Sequence, residues 1–247
     1  MDVFEDKIRA EMLIWQRKMQ KSPSVAEVIS KRVQDKINGF IPEKVHQGIT
    51  STIENLFKAV LFGVKYTSGE ILEDRSLVFR EAYIKKQIRF YQKTASAEGA
   101  VTGAGGILMG LADFPIFIVI KIKLLFEMAS LYGYDVKDYR ERLYILYVFQ
   151  LTFSSQQRRN AIFHILEHWE AYRAKLPDRV DDFDWRSFQQ EYRDYLDLAK
   201  MAQLLPVIGS AVGAVANYKL VAKLGETAMN CYRMRYFARS EPLQLNS

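Results

Sequence analysis

The nearest approach to a catalytic pattern in this chain is His164-Ile-Leu-Glu167-His168, which fits the HxxEH form of inverted zinc peptidases. Two imidazoles four residues apart on a helix can share a metal ion, and the glutamate between them can activate its water. Helical geometry argues against that chemistry. At about 100° per residue, Ile162, Ile165, Leu166, Trp169 and Leu176 form the buried stripe. His164 and Glu167 then project to the opposite, polar side beside Glu170, and no further histidine follows to complete a zinc site. The expectation is two solvated histidines, with no metal, no cofactor and no catalytic residue. A metal-dependent hydrolase built on HxxEH is kept only as a distant alternative.

Gly103-Ala-Gly105-Gly106 has the look of a phosphate loop and fails in detail. Leu108 stands where a dinucleotide fingerprint needs glycine, and no Lys-Ser or Lys-Thr follows Gly110. Ser210 has no GxSxG elbow around it. More informative are four polar residues set in apolar, glycine-lined text: Glu98, Asp113, Glu127 and Asn217. A buried carboxylate is costly unless paired or hydrogen-bonded. Asp113 is expected to cap a helix starting at Phe114 and Pro115, and Glu98 to pair with Lys93 or Lys219. The alternative use of these groups is a polar ligand site, in which Glu98, Asp113 and Asn217 join Gly99, Gly103, Gly106 and Gly110 to hold the head group of a lipid or acyl chain.

The elements that position these residues read as helices throughout. From Thr94 to Tyr134, glycines at 99, 103, 106 and 110 repeat a small-xxx-small spacing that lets another backbone approach closely. Asp113 and Pro115 then predict a stop and restart before a second apolar helix carrying Lys121, Lys123 and Glu127, so that the segment forms a helical hairpin. Pro206 opens a second such stretch, with Gly209, Gly213 and Asn217, as the hairpin's packing partner. Upstream, Phe4, Ile8, Met12, Trp15 and Met19 predict an amphipathic first helix, and two more follow between Val25 and Val64.

The helix after Glu70 carries Leu77, Ile84, Ile88, Tyr91 and Ala95 on one side and the cations Lys85, Lys86, Arg89 and Lys93 on the others. Beyond the hairpin, Asp135 is expected to cap a helix through Phe153. A further helix spans Gln156 to Leu176, and Asp184 caps one beginning at Trp185. Arg233, Arg235 and Arg239 read as a basic amphipathic tail. With no alternating strands or hairpin turns, the class is all-α. It forms one globular unit: residues 1–68 as N-terminal amphipathic helices, 69–240 as the glycine-rich core, and 241–247 as a disordered tail.

Across 247 residues, 35 Lys plus Arg against 29 Asp plus Glu leave a net charge of +6, which favours an anionic partner such as a phospholipid surface. No nucleic-acid module accompanies that charge, and no nucleic-acid partner is expected. The single Cys231 permits no intramolecular disulfide and fits a reducing compartment. The N-terminal MDVFEDKIRA has no signal-peptide character, so a cytoplasmic location is expected. The runs from Gly99 to Ile120 and Met201 to Tyr218 approach the about 20 residues that span a bilayer. They are dilute in strong hydrophobes, which favours buried or membrane-dipping helices over spans.

Ala97-Glu98-Gly99-Ala100 with Gly103, Gly106 and Gly110, then Asp113-Phe114-Pro115, Ala129-Ser130-Leu131-Tyr132-Gly133-Tyr134-Asp135, and Leu205-Pro206-Val207-Ile208-Gly209 through Gly213 to Asn217 occur in that order. In this the chain resembles the EcsC family, and Ile41-Pro42-Glu43-Lys44 is similar to its bacillar members. The resemblance implies a protein encoded beside an ABC-type transporter, linked to protein secretion and processing, whose ATPase and membrane subunits are its expected partners. It implies no biochemical activity and therefore no catalytic residues. The function expected is a non-catalytic accessory protein at the cytoplasmic face of the membrane, held peripherally on anionic lipid by Lys85, Lys86, Arg89 and Lys93; the alternative is a soluble lipid- or acyl-chain-binding module.

Overall fold

The computed structural model describes residues 3–21, 75–102, 106–154, 156–195 and 210–240, with 47–48, 51–53, 55 and 60 besides. The two helices expected between Val25 and Val64, apart from the few residues 47–48, 51–53, 55 and 60, and the 68/69 boundary, Gly103, Pro206, Gly209 and the 241–247 tail lie outside the described residues. Helices are α1 Val3–Gln20, α2 Leu77–Thr102, α3 Gly106–Leu131, α4 Tyr139–Phe153, α5 Gln156–Glu167, α6 Trp169–Arg173, α7 Trp185–Tyr195 and α8 Ser210–Ser240. A 3-10 turn at Val180–Asp182 interrupts the acidic loop before α7. No strand occurs among the described residues, and the fold is all-α.

The molecule is built around α8. At 31 residues it is about 46 Å long. It lies most extensively along α2 and also packs on α1, α3, α4 and α5. Neighbours on several sides explain why every residue from Thr227 to Arg235 is buried, polar ones included. The close approach to α2 needs Gly225, where a Cβ would sit 2.7 Å from Ile88 Cδ1 and 2.8 Å from its Cγ1. The α1 stripe is as the sequence predicts: Ile8, Met12, Trp15 and Met19 are buried, with Trp15 edge-on to Phe163 of α5. On α2, Leu77, Ile84, Ile88, Tyr91 and Ala95 are likewise buried.

The glycine hairpin is placed differently from the expectation. α3 runs unbroken from Gly106 to Leu131 with Pro115 inside it, so Asp113 lies at a helix-interior position and not at a helix start. Proline removes one backbone hydrogen bond. Phe114, Phe117 and Ile118 continue the buried face, and α3 packs on α2, α4 and α8, which holds the helix together. The two arms of the hairpin are α2 and α3. Gly99 therefore lies on α2 while Gly106 and Gly110 lie on α3, and they do not form one bare helical face.

Turn chemistry follows local rules more closely. Gly133 has φ +88°, with its N–H bonded to Ser130 O and that of Tyr134 to Ala129 O, the Schellman arrangement that ends α3. Asp138, not Asp135, is the N-cap of α4, its carboxylate accepting from Arg140 N–H at 2.9 Å. Asp135 instead accepts from Lys137 N–H two residues on. Asp184 caps α7 as expected, through Ser187 N–H. The helix expected over Gln156 to Leu176 is broken at His168, where φ −108° and ψ 34° separate α5 from α6.

Candidate functional site

Buried charge is concentrated along α8. Arg233 grips Glu81 of α2 with Nε on Oε1 at 2.7 Å and Nη2 on Oε2 at 2.6 Å, while the Tyr132 hydroxyl donates to the same carboxylate at 2.8 Å. Arg235 grips Glu141 of α4 in the same way, at 2.6 and 2.8 Å, and reaches Glu170 at 3.1 Å. Its guanidinium carbon lies 3.8 Å from the Tyr134 ring centroid and 4.6 Å from that of Tyr144. The basic tail expected from Arg233, Arg235 and Arg239 is thus incorrect: Arg233 and Arg235 are core residues, and only Arg239 is exposed. Burial alone would lower the pKa of Arg235. The hydrogen bonds to Glu141, together with the electrostatic fields of Tyr134, Glu141 and Tyr144, outweigh it and hold the group firmly charged. Cys231, beside them, is fully buried, and burial pushes its thiol up and away from nucleophilic chemistry.

The glycine-lined polar residues separate into two groups. Lys121 of α3, with no exposed surface, donates to Phe117 O at 3.2 Å and to Asn217 Oδ1 of α8 at 3.3 Å. Burial lowers its pKa to about 7, against the opposing field of the half-buried Glu98 on α2. Lys121 thus lies in the field of Glu98, a relation not expected from the sequence. Glu127 accepts from the Tyr91 hydroxyl at 2.6 Å, a second link between α2 and α3. Of Gly99, Gly106, Gly110 and Asp113 the helical backbone alone is described. Asn217 is buried and Glu98 half-buried at the α2–α3–α8 junction.

The outer face of α2 is the exposed counterpart of this core. Lys85, Lys86, Arg89 and Lys93 are all exposed. Interleaved with them are large aromatics that sequence reasoning missed: Phe79, 46% exposed, Tyr83, 39%, and Phe90, 60%. At 3.6 residues per turn, Phe79, Tyr83, Lys86, Phe90 and Lys93 fall within an arc of about 80°, with Arg89 at its edge. Phe79 and Tyr83 stack at 6.4 Å, and Lys86 lies 6.0 Å from the Tyr83 centroid. Lys85 points to the other side, 3.7 Å from Glu81. The signal was present in the sequence as aromatics at i, i+4 and i+11, out of phase with the buried stripe.

The HxxEH residues sit at the α5–α6 joint. The imidazoles are exposed and their centroids are 4.4 Å apart. Glu167, half-buried, turns Oε2 to His164 Nδ1 at 4.0 Å and to His168 Nδ1 at 3.9 Å, and accepts on Oε1 from Gln20 of α1 at 2.9 Å.

The EcsC protein family model matches residues 6–237, from within α1 to near the end of α8. The chain belongs to the EcsC protein family. It is 46% identical over 226 residues to Protein EcsC of Bacillus subtilis (strain 168), covering 91% of this chain and 93% of that protein. It is 33% identical over 141 residues to the uncharacterized protein YdbA of the same organism, covering 57% of this chain and 52% of that one. No solved structure matches it.

Within this EcsC chain, the segments that carry the resemblance have separable physical roles. Glu98 and Asn217 meet Lys121 at the α2–α3–α8 junction. The Ser130–Asp135 stretch supplies the Schellman glycine and two tyrosines, Tyr132 for Glu81 and Tyr134 for Arg235. Among the described residues, no helix of this EcsC chain is long and apolar enough to cross a membrane.

Proposed function

We propose that this chain is a non-catalytic accessory protein that rests peripherally on the cytoplasmic face of an anionic membrane, near an ABC-type transporter linked to protein secretion and processing. The observation that carries the reading is the exposed stripe of Phe79, Tyr83, Lys86, Phe90 and Lys93 on α2, with Arg89 at its edge. Aromatic rings suit the interfacial layer of a bilayer, and lysine and arginine suit its phosphates. The two occur here on one helical face, on a chain of net charge +6. Each cation near an anionic surface contributes about 1 kcal/mol.

The transporter's ATPase and membrane subunits enter as partners through the family resemblance. A non-catalytic role is supported by where the titratable groups lie. Buried Glu81 and Glu141 are engaged by Arg233 and Arg235, and the HxxEH side chains stand on a helix surface. Sedimentation of the purified full chain with vesicles, together with its co-purification with the transporter subunits, tests the proposal. A chain that does neither is not such an accessory protein.

A further inference from the structure

Independently of the membrane reading, the geometry points to a surface site for one divalent transition-metal ion of the zinc class, formed by His164, Glu167 and His168 at the α5–α6 joint. One ligand atom from each residue lies within 4.8 Å of the others. Zinc holds imidazole nitrogen and carboxylate oxygen at about 2.0–2.2 Å, so tetrahedral donors stand about 3.3 Å apart. The glutamate oxygen is 4.0 and 3.9 Å from the two Nδ1 atoms, gaps that the exposed rings would close by under about 1 Å each, with His168 Nδ1 exchanging its 3.1 Å contact to His164 O for the ion.

Two further features separate this cluster from an accidental pair of histidines. Gln20 donates to Glu167 Oε1 at 2.9 Å from another helix, leaving Oε2 turned toward both imidazoles. This is the kind of outer contact that orients a metal-ligating carboxylate. His168 occupies the break between α5 and α6, so its ring is presented by a turn of its own. Two imidazoles and one carboxylate suit zinc, cobalt or nickel over magnesium or calcium, which take oxygen donors. Water completes the coordination. With both rings on an open surface, the ion would act as a clamp that ties α1, through Gln20, to the α5–α6 joint.

The experiment is isothermal titration of the untagged full-length protein with zinc chloride, repeated with cobalt chloride while the visible d–d absorption is recorded. The expected result is one equivalent bound, with a cobalt spectrum of low coordination number. Gln20→Ala should weaken binding on the order of 10-fold, and His164→Ala or His168→Ala by more. His46→Ala, the remaining histidine of the chain, should leave it unchanged. Absence of stoichiometric binding would overturn the assignment. So would binding that survives the double variant His164→Ala/His168→Ala.

Discussion

Arg235 and Glu141 meet as two forks, Nη1 to Oε2 at 2.6 Å and Nη2 to Oε1 at 2.8 Å, with 3% and 4% of their side chains exposed. The pair fixes α8 against α4 in the middle of a tyrosine-lined core. Tyr134 and Tyr144 cover the guanidinium, and Tyr144 donates its hydroxyl to Cys231 O at 2.8 Å. Removing Glu141 leaves the buried Arg235 with the exposed Glu170 as its remaining carboxylate contact. Glu141→Ala is expected to cost about 3–5 kcal/mol, measured by urea unfolding. The double variant Glu141→Leu/Arg235→Met should recover part of that loss, because the buried charge is gone.

Lys121 gives the fold a pH dependence of definite sign. Its pKa is lowered to about 7 in the folded chain, chiefly by burial, against an ordinary 10.5. Between those values the unfolded chain holds a proton that the folded chain has released, so stability rises with pH through that window. Compared with Lys121→Met, the wild-type protein should gain about 2 kcal/mol between pH 7 and pH 9. Urea midpoints of both proteins across that range measure it. A flat difference would mean that Lys121 stays charged in the core.

Gly225 permits the contact of α8 with α2. Added Cβ density would press on three side-chain atoms of Ile88, so that the whole isoleucine has to move. Gly225→Ala should destabilise by about 1–3 kcal/mol, despite the higher helix propensity of alanine. Ile88→Ala in the same chain should make the glycine substitution nearly neutral, a coupling that a double-mutant cycle reads directly.

The sequence disclosed what local periodicity controls. The stripes Ile8/Met12/Trp15/Met19 and Leu77/Ile84/Ile88/Tyr91/Ala95 are set by a 3.6-residue repeat, and both are buried as read. The Asp184 cap is equally local. What lay hidden depends on partners far away in the chain. Arg233 finds Glu81 across 152 positions and Arg235 finds Glu141 across 94, so on one strip of sequence they look like a solvated tail. Pro115 misled for a related reason: its local preference for a helix end is overridden by the packing of α3 on its neighbours. In the candidate surface the four cations were legible. Phe79, Tyr83 and Phe90 were not, because aromatic residues are assigned to the core unless their phase is compared with that of the buried stripe.

Contact of the outer face of α2 with an anionic bilayer is read out by flotation of the purified full-length protein with vesicles. Vesicles rich in phosphatidylserine or phosphatidylglycerol are compared with neutral ones at low and high salt, for wild type and for Lys86→Glu/Arg89→Glu/Lys93→Glu. The account predicts that wild type floats with anionic vesicles, is released as salt screens the charges, and is lost in the triple variant. No flotation with any vesicle, or flotation that charge reversal leaves unchanged, would contradict it.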